Sequence, residues 1–210
     1  MQIVVLANDT SRQAFMPKQP VEDTEIVWID VPEQFLQYPD AAAWIDLLFE
    51  CTPERLSLLG TPDKLVLVNS VVNSLQESSP GFVRFNGWPG LLEGSVVEAA
   101  IMEEDRKPMA EAVLSLFGRQ VEWLPDEPGF VTPRVVSMII NEAYLAIEEG
   151  VSTRAAIDTA MKLGTNYPYG PFEWAEKIGL RNVWKLLEQL SRRQAHYKPS
   201  ALLTQEAGNR

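Results

Sequence analysis

The sequence predicts an α/β domain with a mostly parallel sheet followed by an all-α domain, because its periodicity changes once along the chain. Up to about residue 127, short strand-like runs are separated by Pro, Gly, Asp and Ser. Several runs are apolar throughout, as in strands covered on both faces. From residue 128 onward, apolar residues recur at three- and four-residue steps, which is typical of helices. We therefore predict two domains, 1–127 and 128–210.

In the first domain, seven segments are predicted as strands. They are residues 3–7, 25–29, 43–49, 65–69, 82–85, 96–102 and 121–124. Helices are predicted at 52–59 and 108–117. The first of these starts with Thr52, Pro53 and Glu54, an order that favours a helix N-terminus. Strands that alternate with helices indicate a mostly parallel sheet.

The second domain is predicted to be a bundle of four helices. The first, over 134–149, carries an apolar stripe that must be covered by something, and Gly150 ends it. The second is capped by Ser152 or Thr153 and stops at Gly164. Two more helices are predicted at 172–178 and 180–190. The segment from Gln194 is polar, and we expect it to lie along the surface.

Composition excludes several classes of function. A formal net charge of -11 argues against nucleic acid, which needs clustered Lys and Arg, and weakly against an anionic membrane surface. No apolar run approaches the roughly 20 residues that cross a bilayer, and the first residues are typical of a strand, not of a signal peptide. The single cysteine, Cys51, allows no intrachain disulfide and no multi-Cys metal site. We therefore expect a cytoplasmic protein without a metal.

Four ordered motifs in the second domain carry a family resemblance. They are PGFVTPR at 128–134, IDTAMKLG at 157–164, YPYGPFE at 167–173 and YKPSALL at 197–203. In this order and spacing they resemble the C-terminal domain of 3-hydroxyacyl-CoA dehydrogenases. Three upstream segments, 40–50, 65–75 and 85–100, resemble the same family more weakly. The resemblance implies a shortened Rossmann-like sheet joined to a helical domain that forms much of a dimer interface. An acyl-CoA ligand and a homodimer, or a pairing with a full-length relative, are the expected partners.

The first turn departs from the family pattern. A dinucleotide needs a glycine-rich turn between the first strand and helix, so that backbone N–H groups meet the pyrophosphate. Residues 6–12 contain no glycine, and Asp9 adds a negative charge there. We therefore expect no cofactor, with NAD bound only if the family activity is retained. Asp30, after the second strand, is either a ribose ligand or a solvated acid.

The family's catalytic residues are also altered. The resemblance places Glu98 where the family has a Glu that orients a proton-accepting His, and Asn86 where it has that His. An asparagine hydrogen-bonds but does not relay a proton near neutral pH, and His196, the only histidine, lies in the tail. The family's active-site Ser falls on or near Val71, beside Ser70. We predict a degenerate catalytic site of Glu98, Asn86 and Ser70.

Three hypotheses follow for the function. The chain is a degenerate family member, a pseudoenzyme kept for acyl-CoA binding or assembly in fatty-acid metabolism. Alternatively it is an active oxidoreductase of the 3-hydroxyacyl-CoA dehydrogenase type with an atypical cofactor site. The third hypothesis is an enzyme of another class that uses Glu98 or Glu50 as an acid or base. Arg84, Arg106 and Lys107 either meet a CoA phosphate or form a solvated surface.

Overall fold

The computed structural model describes residues 1–17, 23–60 and 64–208, and the chain divides into two units, Met1–Phe130 and Val131–Arg210. The first unit contains one seven-stranded sheet. Its strands are β1 (Gln2–Leu6), β2 (Glu25–Ile29), β3 (Ala43–Asp46), β4 (Leu65–Asn69), β5 (Phe82–Phe85), β6 (Val96–Ile101) and β7 (Gln120–Trp123). The predicted α/β class is confirmed.

The strand order, β2-β1-β3-β4-β5-β6-β7, is that of a Rossmann-like sheet with a reversed end. Strands β1 to β5 are parallel, β6 is antiparallel to β5, and β7 is parallel to β6. The carboxyl ends of β1–β5 and the starts of β6 and β7 therefore lie at one edge, which we call the carboxyl edge. The chain leaves β1 toward β2 on one side, while β3 lies on the other. Open α/β sheets bind ligands at such a switch point.

Helices cover both faces of the sheet, which explains the continuous apolar runs. They are α1 (Asp9–Phe15), α2 (Pro53–Leu59) and α3 (Lys107–Leu116). One buried cluster joins alternate strand residues to Phe15 and Phe117, and the other joins the opposite face to Phe35 and Leu59. Each face therefore has its own core. The predicted helices over 52–59 and 108–117 are confirmed within one residue.

Strand β3 is shorter than predicted. The apolar run over 43–49 suggested a strand to residue 49, but β3 ends at Asp46. The Asp46 carboxylate accepts a hydrogen bond from the backbone N–H of Leu48 at 2.9 Å, and this local bond turns the chain. The short side chain of Asp46 thus takes the place of a neighbouring strand as the hydrogen-bond partner of the backbone.

In its described part, the second unit consists of five helices, one more than predicted. They are α4 (Thr132–Glu148), α5 (Arg154–Thr165), α6 (Pro171–Ile178), α7 (Leu180–Ser191) and α8 (Ala201–Gly208). Helix α4 packs against α6, α7 and α8. The predicted apolar stripe of α4 is buried at Val136, Ile140, Ala143 and Tyr144. A Rossmann-like sheet followed by a helical bundle is therefore the observed architecture.

The prediction that the tail lies along the surface is wrong. Helix α8 buries Leu203 and Ala207. The side chain of Asn141 on α4 donates to the carbonyl of Lys198 at 3.1 Å and accepts from the N–H of Ser200 at 2.8 Å. The few apolar residues of this short segment were too weak a pattern to predict a buried helix.

The IDTAMKLG and YPYGPFE motifs form one structural corner. Asp158 on α5 accepts a hydrogen bond from the N–H of Phe172 at 2.9 Å, and Lys162 forms an ion pair with Glu173 on α6. Glu173 also accepts from the N–H of Gly170 at 2.9 Å. A Cβ at Gly170 would overlap the Asp158 side chain, so only glycine fits there. These motif residues hold α5 against α6.

Candidate functional site

Two of the three predicted site residues meet at the carboxyl edge. Asn86 follows β5, and Glu98 lies in β6. The side-chain Nδ2 of Asn86 donates to Oε2 of Glu98 at 3.2 Å, and the backbone N–H of Asn86 donates to the carbonyl of Glu98 at 2.9 Å. The antiparallel pairing of β5 with β6 sets this contact, since Phe85 lies opposite Ala99. A catalytic role for the pair stays a prediction.

The Asn86 amide is buried and fixed. Its Oδ1 accepts a hydrogen bond from the N–H of Trp88 at 3.3 Å, while its Nδ2 donates to Glu98. Asn86 is 6% exposed, whereas Glu98 is half-buried. The Asn86 amide can therefore orient a carboxylate or donate to a carbonyl, but it takes up no proton.

Ser70, the third predicted site residue, is turned into its own loop. The residue is buried, and its hydroxyl donates to the carbonyl of Asn73 at 3.0 Å. Its own carbonyl accepts from Nη1 of Arg84 at 3.1 Å. The hydroxyl is thus engaged within the loop after β4 and not with the Asn86–Glu98 pair.

Asn69 is a residue of this edge that the sequence analysis missed. Its Nδ2 donates to the carbonyls of Leu47 and Gly87, each at 3.1 Å, and its Oδ1 accepts from the N–H of Gly87 at 2.9 Å. The side chain therefore joins the ends of β3, β4 and β5. A Cβ at Gly87 would lie 2.6 Å from Cγ of Asn69, so glycine is required. The one sign of Asn69 in the sequence is that a polar residue ends the apolar run LVLVN.

Both expectations for Arg84, a CoA phosphate ligand or a solvated residue, are wrong. Arg84 is completely buried and forms an ion pair with Asp126. Its Nη2 donates to the carbonyl of Glu127 at 2.6 Å, and its guanidinium lies 4.1 Å from the centre of the Phe130 ring. Burial lowers the pKa of Arg84, and the neighbouring Asp126 opposes that shift. Arg84 thus joins the loop after β4 to residues 126–130.

Arg106 and Lys107 lie in local ion pairs. Arg106 pairs with Glu103 at 2.6 Å, and Lys107 pairs with Glu104 at 2.6 Å. Arg106 also donates to the carbonyl of Lys64 at 3.3 Å. Both cations are partly exposed, and their contact with a phosphate stays a hypothesis.

A buried ion pair lies at the switch point of the sheet. Asp46, the last residue of β3, is completely buried and lies beside Leu6 of β1. Its Oδ2 accepts from Nη1 of Arg55 at 2.5 Å. Burial raises the pKa of Asp46 to about 6, although Arg55 and the N–H of Leu48 oppose the shift. In the sequence, this acid lies within the strand predicted over 43–49, and nothing there indicated a buried ion pair.

The turn after β1 is built in a way that does not fit a dinucleotide pyrophosphate. Asn8 caps α1, since its Oδ1 accepts from the N–H of Ser11 at 2.8 Å, and Ser11 Oγ accepts from the N–H of Asn8 at 3.0 Å. Asp9 lies in the first turn of this seven-residue helix. A donor that would face an anion is therefore already used, and the nearest side-chain charge is negative. Asp30, at the end of β2, is exposed.

Among residues 1–17, 23–60 and 64–208, no group of three or more His, Cys, Asp or Glu side chains is arranged to hold a metal ion. Within the same ranges, no helix is both long and apolar enough to cross a bilayer.

The fold and the carboxyl edge define a class of protein in which a Rossmann-like sheet unit is followed by a helical bundle. Comparisons with known proteins then identify the family of the helical unit. Residues 129–208 match the model of the 3-hydroxyacyl-CoA dehydrogenase C-terminal domain. The chain is 39% identical over 115 residues to a 3-hydroxyadipyl-CoA dehydrogenase of Escherichia coli K12, which covers 54% of this chain and 24% of that protein. It is 36% identical over 122 residues to a 3-hydroxybutyryl-CoA dehydrogenase of Bradyrhizobium diazoefficiens, covering 56% of this chain and 40% of the relative.

A solved structure shares the fold. The (S)-3-hydroxybutyryl-CoA dehydrogenase of Ralstonia eutropha superposes with a TM-score of 0.71 at 22% identity, over 88% of this chain and 70% of that one. The helical unit belongs to the family of 3-hydroxyacyl-CoA dehydrogenase C-terminal domains, as its motifs predicted. The matches span less than half the length of the two curated relatives named above.

Proposed function

We propose that this protein acts in fatty-acid and acyl-CoA metabolism without the family's NAD-dependent activity, as an acyl-CoA-binding or assembly protein. The contact between Asn86 and Glu98 is the observation that carries the proposal. In the family, a His takes the hydroxyl proton as hydride leaves, and a Glu orients that His. The resemblance places Asn86 at the corresponding position, and its Nδ2 contacts Glu98 at 3.2 Å, but an amide accepts no proton near neutral pH.

The β1–α1 turn supports the same proposal. Its Asn8 cap already uses a backbone donor and Asp9 adds a negative charge, which argues against a pyrophosphate there. What remains at the carboxyl edge is a set of fixed hydrogen-bonding groups. One N–H of the Asn86 amide contacts Glu98, and we propose the other as the donor to a carbonyl oxygen such as that of a thioester. Binding without turnover is the function that these groups can perform.

A panel of ligands tests the proposal on the full chain. We expect acetoacetyl-CoA to raise the melting temperature by roughly 5 °C at a hundredfold excess over Kd, and NADH to leave it unchanged. Asn86→Ala should reduce the acetoacetyl-CoA shift, because it removes the donor. Glu93→Ala, a change at an exposed acid between β5 and β6, should leave the shift intact. Saturable quenching of tryptophan fluorescence by NADH, together with NADH oxidation by acetoacetyl-CoA, would contradict the proposal.

A second candidate is an active dehydrogenase-type oxidoreductase with an atypical cofactor site, in which Glu98, Asn86 and Ser70 line an acyl-CoA pocket. The retained contact between Asn86 and Glu98 favours it. This candidate requires turnover that depends on NADH or NADPH and is abolished by Glu98→Gln. The third hypothesis, an enzyme of another class, requires turnover without a nicotinamide that Glu98→Gln or Glu50→Gln abolishes. Glu50 is exposed after β3.

The helical unit supports a proposal for assembly as a homodimer. No residue of α5 is buried. Its exposed residues include Ala156, Ala160 and Gly164, four residues apart, and Leu163 at 83% exposure. Small residues at this spacing allow a second helix to approach closely, and Leu163 gains from being covered.

We further propose a cytoplasmic location, which agrees with the single Cys51.

A further inference from the structure

Arg119, between α3 and β7, is a buried arginine that forms no ion pair with any of the described residues. It is 3% exposed, and its Nη2 donates to the carbonyl of Ala14 at 2.7 Å. Its Nε and Nη1 are buried, and neither has a hydrogen-bond partner among the described residues. Burial lowers the pKa of Arg119. Two strong donors of this cation are therefore unsatisfied.

The other buried arginine of the sheet unit shows what such a group normally needs. Arg84 has an acid, Asp126, two backbone carbonyls and an aromatic ring around it. Arg119 has one carbonyl and, at 6.0 Å, the ring of Phe15. An unpaired buried ion costs several kcal/mol, a large share of the 5–15 kcal/mol that stabilises a typical domain. The missing partner must therefore come from outside the described residues.

The position of Arg119 also indicates a ligand. Gln120, the next residue, starts β7 and lies opposite Val96 at the start of β6. Because β6 and β7 run against β1–β5, Arg119 lies on the carboxyl-edge side of the sheet, where α/β folds take their ligands. The surrounding side chains include Phe15 and Phe117, which stack at 4.4 Å and leave the surroundings apolar. Such a place favours a small, negatively charged occupant.

We propose that Arg119 binds a small inorganic anion, of the size of chloride or phosphate, through Nε and Nη1. A guanidinium recognises such anions because its N–H groups are always charged and lie in one plane. The anion supplies the counter-charge that Asp126 supplies to Arg84. The proposal rests on Arg119 and Ala14 and does not depend on acyl-CoA binding at Asn86 and Glu98.

Thermal unfolding of the full chain tests the site. The protein is exchanged into sodium gluconate, whose anion is bulky, and is then titrated with sodium chloride or sodium phosphate at constant ionic strength. We expect little change below the dissociation constant and, above it, a rise in melting temperature of roughly 3–5 °C for each tenfold increase in anion concentration. Arg119→Met should abolish the rise, and in gluconate alone it should melt above the unsubstituted protein, because it removes an unpaired charge. Arg192→Met, a change at an exposed arginine, should keep the full response.

Several outcomes would overturn the proposal. A flat titration with both salts would mean that no small anion binds, and the same rise in Arg119→Met would mean that it binds elsewhere. ADP and CoA form a further arm, and stabilisation by these alone would show that a phosphate-bearing cofactor is the ligand instead. If Arg119→Met fails to fold, the titration of the unsubstituted chain still tests the proposal. A flat curve for that chain is sufficient to reject the anion site.

Discussion

Buried polar residues at the strand ends hold the carboxyl edge together. Asn69 joins β3, β4 and β5, while Asp46 holds Arg55 at the switch point. The Asn86–Glu98 pair was predicted from the spacing of a family motif. Asn69 and Asp46 were not singled out, because a polar residue in an apolar run gives no sign of the partner it meets in space.

Arg84 illustrates the same limit more sharply. Its charge suggested a surface or a phosphate, whereas its acid, Asp126, lies 42 residues further along the chain. Sequence patterns report local periodicity, and a partner at that distance is defined only by the folded sheet. The burial of Arg84 was therefore beyond what the sequence could predict.

Asp46 gives the protein a specific pH dependence of stability. Its pKa is about 6 in the folded protein against 3.8 for a free aspartate, so the folded state holds the proton more tightly. Its contribution is fully present below pH 3.8 and is lost as pH rises to about 6, by at most about 1.4 kcal/mol per pH unit. In Asp46→Asn, the free energy of unfolding should lack this decline, as measured by urea denaturation from pH 4 to 7.5.

The exposed Asp30 provides the control for that measurement. Asp30→Asn should keep the decline, because the carboxylate of Asp46 is unchanged. Parallel curves for Asp46→Asn and the unsubstituted protein between pH 4 and 6 would disprove the role of Asp46.

At the scale of elements, strands were easier to predict than the last helix. Six of the strands follow their predicted bounds closely because continuous apolar runs between Pro, Gly and Asp are a strong local signal. Helix α8 was missed because only Leu203 and Ala207 are buried, and its anchoring comes from α7 and α4. Glu206 of α8 accepts from Tyr144 at 3.1 Å and pairs with Arg154. Tertiary contacts, not local pattern, hold this helix in place.

A substitution in α8 measures that anchoring. Leu203 is completely buried, so Leu203→Ala should lower the free energy of unfolding by about 2–5 kcal/mol. Gln205→Ala, at an exposed position of the same helix, should change it by less than about 0.5 kcal/mol. Equal effects of the two substitutions in chemical denaturation would show that α8 contributes no core.

At the scale of the whole molecule, the exposed face of α5 determines the expected assembly. Leu163→Glu places a charge on that face and should convert a dimer to a monomer, because burying an unpaired carboxylate is costly. Arg192→Glu, a change at the exposed residue that follows α7, should leave the mass unchanged. Light scattering at several protein concentrations measures both. A monomer for the unsubstituted chain at high micromolar concentration would refute the homodimer.

The packing of α8 on α4 has a consequence for how the protein is made. Ser200, just before α8, bonds to Asn141 of α4, 59 residues earlier in the chain. A ribosome delivers α4 first, and α4 lacks its contacts with α8 until residues 201–208 have been synthesised. The helical core is therefore completed late, and the interval before α8 emerges is when this unit is most exposed to aggregation or to chaperones.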